Sequence, residues 1–259
     1  MATGDATSGL SPAPRRARNF AHRGASGHAP ENTLLAFHSA FELGADAIEC
    51  DVQLSADGEP VILHDATLDR TTTGRGMVTA LSLEALRRLD AGAGERIPTL
   101  QEVLDLCRAE QKLVNLEIKA ESLAEAFAIA RVVGQAIEQG GHHANTLVSS
   151  FWLPAVAALK KEHPTIRTAT LHGGLRWRFF SMLRAAHESG ANAIHPQSAL
   201  VSRRLVEAAH AAGLEVNVWT VDQPDTMLRL LSWGVDGIMS NYPEVLHRVL
   251  LILAQDSVQ

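Results

Sequence analysis

The stretch Asp46–Asp65, DAIECDVQLSADGEPVILHD, decides how this chain reads. Two β-like runs, Ala47–Leu54 and Pro60–His64, flank Asp57-Gly58, and an Asp-Gly pair between apolar alternating segments is a strong hairpin signal. With Asp57 and Gly58 as the two turn residues, pairing runs outward from Ala56 opposite Glu59 and sets Asp51 opposite His64. Alternate side chains of a strand share a face, so Glu49 and Asp51 point one way and Cys50 the other. Two carboxylates and an imidazole then occupy one small patch. Burying that charge without partners is costly. Either this strand end is solvated, or a hard divalent cation lies between Glu49 and Asp51 with His64 close enough to move a proton.

Composition narrows the class. The 259 residues are 46% apolar, enough for one large core, and the length suits a single α/β barrel as well as two smaller domains; one domain is the expectation. The net charge is −6 and the one basic cluster is Arg15-Arg16-Ala17-Arg18, so no nucleic-acid partner is expected. Cys50 and Cys107 make neither a disulfide framework nor a zinc site, which suits a reducing compartment. Met1–Pro14 is small, polar and punctuated by Pro and Gly, without the apolar core of a signal peptide. Residues 1–18 are therefore expected to form a disordered tail ahead of a barrel over 19–259, in a cytoplasmic protein. No apolar run is long enough to span a membrane, Val245–Leu253 being interrupted by His247 and Arg248.

Outward from the hairpin, a short strand at Asn19–Ala21 ends in His22-Arg23-Gly24, and a helix is expected from about Glu31 to Leu43 with Gly44 at its end. The stretch 66–97, rich in Thr, Gly and Arg, reads as an insertion. Thr99-Leu-Gln-Glu102 has the form of a capping box and opens a helix to about Glu110; Ser122-Leu-Ala-Glu125 repeats the signal. Strands follow at Leu113–Ile118, Thr146–Ser150, Ile166–Leu171, Ala191–His195, Glu215–Trp219 and Asp236–Met239. With the hairpin return set aside, eight strands each followed by a helix match a (β/α)8 TIM barrel with a small insertion after the second strand. Counting the return as a ninth strand leaves a doubly wound open sheet as the alternative.

In such a barrel the reactive groups gather at the C-terminal strand ends. Those ends carry His22-Arg23, Glu49-Cys-Asp51, Glu117-Ile-Lys119, Ser149-Ser150-Phe151, His172, His195, Trp219-Thr220 and Ser240-Asn241. Glu117 and Lys119 share a face by the same alternation as Glu49 and Asp51, so an adjacent strand aims them at the same cavity. Three carboxylates without a cysteine form an oxygen-only donor set, suited to Mg²⁺ or Ca²⁺. Three acids, Arg23, Lys119 and a divalent ion sum to +1, and a phosphodiester carries −1. Charge at Arg23 and Lys119 would stabilise the transition state, and two histidines would serve as base for the nucleophile and acid for the leaving alkoxide.

These residues also carry a resemblance. His22-Arg23-Gly24-Ala25, Pro30-Glu31-Asn32-Thr33, Glu49-x-Asp51-Val52, His64-Asp65, Arg70-Thr71-Thr72-x-Gly74-x-Gly76, Glu117-x-Lys119, Ser150-Phe151 and Trp219-Thr220-Val221 closely resemble the glycerophosphodiester phosphodiesterase family, over roughly Asn19–Pro243. The resemblance implies a TIM barrel, Glu49, Asp51 and Glu117 as ligands of Mg²⁺, Ca²⁺ or Mn²⁺, His22 and His64 as the acid/base pair, and Arg23 and Lys119 as phosphate contacts. It also implies a small-molecule substrate, a deacylated phospholipid such as glycerophosphocholine or glycerophosphoethanolamine, hydrolysed to glycerol 3-phosphate and an alcohol.

Several residues keep two readings. Glu31 is either an acid in the first turn of a helix, worth about 0.3–1 kcal/mol against the dipole, or part of the site. Trp219 is either barrel filling or a substrate-binding wall. His172 and His195 read as ordinary hydrogen-bonded groups, and His28, His38, His142, His143, His163, His187, His210 and His247 as surface groups. Cys50 reads as a small core residue, and Arg70–Gly76 as a lid or a structural loop. Two rival functions are a lysophospholipase D-type enzyme, which would need an apolar ramp at the cavity mouth, and a non-catalytic phosphodiester-binding module. The leucines that could form that ramp, Leu81, Leu83, Leu86 and Leu89, have the helical spacing of an insertion core.

Overall fold

The run Ala47–Leu54 forms strand β2 over its expected residues, in a computed structural model that describes residues 16–174 and 179–256. Strand β1 is Arg18–His22 and pairs in parallel with β2, His22 lying beside Glu49. The tail expected over 1–18 ends sooner than that on its inner side. Arg18 already belongs to β1, Ala17 is buried, and Arg16 pairs with Asp46. The rest of that expectation, residues 1–15, lies outside the described residues.

Helix α1 is Leu34–Glu42, three residues shorter at its start than expected. Asn32 has φ +59°, a left-handed conformation that no helix continues through, so the cap falls to Thr33, whose side chain accepts from the Ala36 N–H. Glu31 is therefore in the loop, and a helix-dipole role for it is ruled out. Strand β3, Pro60–Ile62, runs antiparallel beside β2. Then come α2 (Leu83–Leu86), α3 (Leu100–Ala109), β4 (Leu113–Ile118), α4 (Leu123–Gly140), β5 (Thr146–Ser150), α5 (Leu153–Glu162) and β6 (Arg167–His172). The chain closes with α6 (Phe179–Ser189), β7 (Ala193–Pro196), α7 (Arg203–Ala211), β8 (Glu215–Val218), α8 (Pro224–Ser232), β9 (Gly237–Ser240) and α9 (Pro243–Asp256). The capping box at α3 is present in full, Thr99 and Glu102 bonding each other's backbone N–H.

Strand order is β1-β9-β8-β7-β6-β5-β4-β2-β3 with a further β1–β2 pairing, so eight parallel strands close on themselves and β3 hangs on β2 as the hairpin return. The open-sheet alternative is thereby excluded. Alternation sorts each strand into two sets. Ile48, Cys50, Val52, Val114, Leu116 and Ile118 face outward and pack with Phe37, Leu104 and Ile129 of the surrounding helices. Each such side chain contributes roughly 1.5–3 kcal/mol on burial. Phe20, Ala47 and Met239 fill the lower interior. Above them the inward positions turn polar, so the strands are held by their outer face and the inner face at the C-terminal ends is available for chemistry. Among the described residues no helix is long and apolar enough to cross a membrane. One histidine departs from expectation: His142 is buried, with Arg108 Nη2 standing 2.9 Å from its Nε2.

The hairpin register differs from the expected one by one residue. Val52 pairs with Ile62, Gln53 with Val61 and Leu54 with Pro60, and Asp51 accepts from the Leu63 N–H rather than facing His64. Gly58 has φ +81° whereas Asp57 does not enter the positive-φ region, so the two-residue turn that needs both is not formed. Ser55 and Glu59 instead close a three-residue loop, Ser55 N–H donating to Glu59 O at 2.9 Å and Glu59 N–H to Ser55 Oγ at 2.9 Å. Pairing stops at Ile62, and His64 reaches the cavity from the segment beyond the strand. Gln53 braces that segment by donating to the carbonyls of Leu63 at 2.8 Å and Asp65 at 2.7 Å. The insertion after it buries Val61, Leu63, Leu68, Val78, Leu86, Ala91 and Ile97 with Leu81, Leu83 and Leu89 against them.

Candidate active site

Register alone assembles the acids. β1 sets His22 beside Glu49, and β4 sets Glu117 beside Asp51, all on inward positions of adjoining strands. One oxygen of each of Glu49, Asp51 and Glu117 lies within 4.8 Å of the others, and all three residues are buried. Burial first, and the charge of Asp51 second, push the carboxyls of both Glu49 and Glu117 well above the usual range. Glu49 Oε1 is buried with no hydrogen-bond partner. A hard divalent ion answers each of these features, since it needs several oxygens, relieves the mutual repulsion and gives the orphaned oxygen a bond.

The cluster is framed by two cations. Lys119 Nζ stands 2.7 Å from Glu117 Oε1 and 3.7 Å from Asp51 Oδ1. Arg23 Nε stands 3.3 Å from Asp51 Oδ2, its Nη1 donates to Glu31 Oε1 at 2.9 Å, and its backbone N–H donates to Glu49 Oε2 at 3.0 Å. Arg23 has φ +56°, and the next residue must be glycine, because a Cβ at Gly24 would meet the backbone of Ala36 at 2.7–2.8 Å. The tight turn is what delivers both the guanidinium and the amide of Arg23 to the acids. Burial would lower the Lys119 and Arg23 values, but the surrounding carboxylates outweigh it and raise both.

Both histidines have Nδ1 engaged. His22 Nδ1 lies 2.8 Å from Asn241 Oδ1, and His64 Nδ1 lies 2.6 Å from Asp65 Oδ1. Nε2 is then the nitrogen that each ring leaves for another partner, and that of His22 is 3.9 Å from Glu49 Oε2. Burial is the first cause that lowers both imidazoles below their ordinary value. A cavity of about 360 Å³ opens on the His64 and Lys119 side of this group, lined by Gln53, His64, Asp65, Glu117, Lys119, Phe151 and Trp152 among others. Trp219 does not line it. Its indole N–H donates to the His195 carbonyl at 2.7 Å and its ring meets Phe151 edge to face at 5.7 Å, which makes Phe151 the aromatic wall.

Sequence reasoning left three contributors without a role. Asn32 Nδ2 donates to Asp51 Oδ2 at 2.8 Å while its Oδ1 accepts from the Asp51 N–H at 3.3 Å, so it orients a cluster carboxylate. The signal was an Asn after Pro-Glu at a point where the chain must turn through left-handed space. Arg70 bonds both Asp65, at 2.6 and 3.0 Å, and Glu31, at 2.8 Å twice. Burial would raise Glu31, but the hydrogen bonds from Arg70 and the charge of Arg23 hold it at about 2. The Arg70 loop is thus tied to the site by ion pairs. Asn241 is the third. His172 and His195 are buried elsewhere in the barrel and do not join the group.

Comparison with known proteins agrees with this geometry. Residues 22–245 match the model of the Glycerophosphoryl diester phosphodiesterase family. A glycerophosphodiester phosphodiesterase of Caldanaerobacter subterraneus subsp. tengcongensis is 40% identical over 88% of this chain and 95% of its own. One of Bacillus altitudinis is 35% identical over 87% and 94%. The structure of an Oleispira antarctica phosphodiesterase in complex with the product sn-glycerol-3-phosphate superposes with a TM-score of 0.81 at 30% identity, covering 89% of this chain and 95% of that one. With a family match running from His22 to Val245 and relatives matched over nearly their whole length, this chain belongs to the glycerophosphoryl diester phosphodiesterase family.

Proposed function

We propose that this chain hydrolyses small glycerophosphodiesters, of the glycerophosphocholine or glycerophosphoethanolamine kind, to glycerol 3-phosphate and an alcohol. The observation that carries the reading is the meeting of Glu49, Asp51 and Glu117 within 4.8 Å, with Glu117 shared by a cavity that His64 and Lys119 also line. These three carboxylates would hold Mg²⁺, Ca²⁺ or Mn²⁺. Such an ion supplies Lewis-acid charge to a phosphoryl oxygen when bound.

The chain's own groups do the rest. Arg23 and Lys119 are fixed cations for the remaining phosphoryl oxygens, where charge gathers in the transition state. His22 and His64, each with Nε2 unengaged by its orienting partner, divide the work. One, neutral, takes the proton of the nucleophile on Nε2, and the other, entering as the imidazolium with a proton on each nitrogen, gives its Nε2 proton to the leaving alkoxide. The nearest nucleophile is the glycerol hydroxyl beside the ester, and an intramolecular attack has an effective molarity of about 10⁵ M or more. It would expel the head-group alcohol and leave a cyclic glycerol phosphate, which water opens with the histidines exchanging roles. Phe151 and Trp152 give the cavity an apolar wall on the Lys119 side. The leucines of the insertion pack into its own core, Leu86 fully and Leu81, Leu83 and Leu89 in part, which supports a small substrate over a lipid one. The two buried free cysteines fit a reducing, cytoplasmic setting.

The test is product analysis over a panel of glycerophosphodiesters and one lysophospholipid, with Mg²⁺, Ca²⁺ or Mn²⁺ added. Glycerol 3-phosphate from the deacylated substrates is the expected result. Turnover of the lysophospholipid alone would overturn the substrate class.

A further inference from the structure

We propose that Asp222 is a positioning residue that fixes the tautomer of His22 through the amide of Asn241, an inference that rests on the acid/base role proposed for His22. Asp222 follows β8 and Asn241 follows β9, both at the C-terminal rim of the barrel. The Asp222 carboxylate collects Ser240 Oγ at 2.9 Å, the backbone N–H of Asn241 at 2.8 Å and Asn241 Nδ2 at 2.7 Å. An ionised carboxylate only accepts, so the amide nitrogen of Asn241 must face it; the reverse orientation would hold two acceptors 2.7 Å apart.

The consequence falls on the other end of the amide. Asn241 Oδ1 is left facing His22 Nδ1 at 2.8 Å, and a carbonyl oxygen only accepts, so the ring proton is on Nδ1 and the lone pair on Nε2. Ser26 Oγ, 2.9 Å from the same Oδ1 and 2.8 Å from the His22 carbonyl oxygen, has one proton for these two acceptors and so weighs against this orientation. But a hydroxyl can direct that proton to either oxygen, whereas the carboxylate has none to offer a reversed amide. The choice therefore lies with Asp222. Oriented the other way, the Asn241 amide would donate to Nδ1 and drive the proton to Nε2, the atom that must take one up in the reaction. Asp222 touches neither ring nor cavity and acts wholly through Asn241.

The test combines ¹⁵N-histidine NMR of the full chain with Mg²⁺ and steady-state kinetics. In the wild type, His22 is expected as the Nδ1–H tautomer. Asp222→Asn lets the Asn241 amide turn over, so the Nε2–H form should rise and kcat fall about 10- to 100-fold, the usual cost of an imidazole's orienting partner, while KM stays nearly constant. The exchange Asp222→Asn with Asn241→Asp reverses the pair and again offers His22 Nδ1 only an acceptor. It should restore both the Nδ1–H tautomer and most of kcat, a rescue that a purely structural role for Asp222 would not give. Should the single variant fold poorly, the double exchange is read alone, and an Nε2–H tautomer there overturns the proposal. So does an unmoved tautomer with wild-type kcat in a folded Asp222→Asn. His22→Ala separates the two readings. Full activity there overturns the acid/base role, whereas loss there with a silent Asp222→Asn overturns the positioning alone.

Discussion

His64 Nδ1 and Asp65 Oδ1 lie 2.6 Å apart, although the two residues are consecutive in the chain. Hydrogen bonds from Arg70 first, and from His64, hold Asp65 well below the usual carboxylate range, so it stands as an acceptor that keeps the His64 proton on Nδ1. Asp65→Asn keeps the shape and removes that bias. It is expected to lower kcat about 10- to 100-fold, the usual cost of losing an imidazole's orienting partner, with a smaller change in KM. Unaltered kcat would mean that the pair is structural.

Arg70 ties Asp65 to Glu31, and Glu31 ties on to Arg23. Arg70→Leu should therefore loosen His64 and Arg23, the proposed phosphate contact, together, lowering kcat and raising KM. A loss in only one of the two constants would show that this chain of ion pairs does not couple them. Steady-state kinetics on the variant reads both.

Each of His22→Ala and His64→Ala should cost about 10²- to 10⁴-fold in rate. The double variant should lose little more than the worse single, because an acid/base pair acts as a unit. With a p-nitrophenol leaving group the general acid is dispensable, so one single variant should recover and the other not. Equal loss in both would refute the division of roles.

The route through a cyclic phosphate predicts that a substrate with hydrogen in place of the glycerol 2-hydroxyl binds without being turned over. Competition against a good substrate measures the binding, and product assay the turnover. Turnover near the normal rate would assign the nucleophile to water.

How much of this was legible beforehand follows from what each feature depends on. Periodicity is local, so β2, β4 and β5 fall on their expected residues, and parity along them was enough to put Glu49, Asp51, Glu117 and Lys119 on one side of the barrel wall. Register across the hairpin hinged on a single backbone angle, that of Asp57, which composition does not reveal. The start of α1 hinged on Asn32 in the same way. The Asp222–Asn241–His22 contact joins residues 19 and 219 positions apart, and only closure of the barrel brings them together.

Buried histidines make a prediction about acid stability. Burial holds the His195 imidazole down at about 3 and that of His172 at about 4, below the ordinary value of about 6.5 that each takes when unfolded. Between those limits the unfolded chain binds protons that the folded chain does not, so this contribution is whole above about pH 6.5 and is lost as pH falls toward 4. Urea midpoints should decline over that range, and His195→Gln should decline less steeply than the wild type. Parallel slopes would show that His195 does not contribute.

The proposed phosphodiester hydrolysis requires a divalent ion at Glu49, Asp51 and Glu117. The most direct measurement is glycerol 3-phosphate release from a glycerophosphodiester by dialysed protein, first in excess EDTA and then with Mg²⁺, Ca²⁺ or Mn²⁺ restored. Release should vanish in EDTA and return with at least one of the three ions, and it should not return in Glu117→Gln at the same ion concentration. Full release in EDTA, or none with any of the ions, would contradict the account.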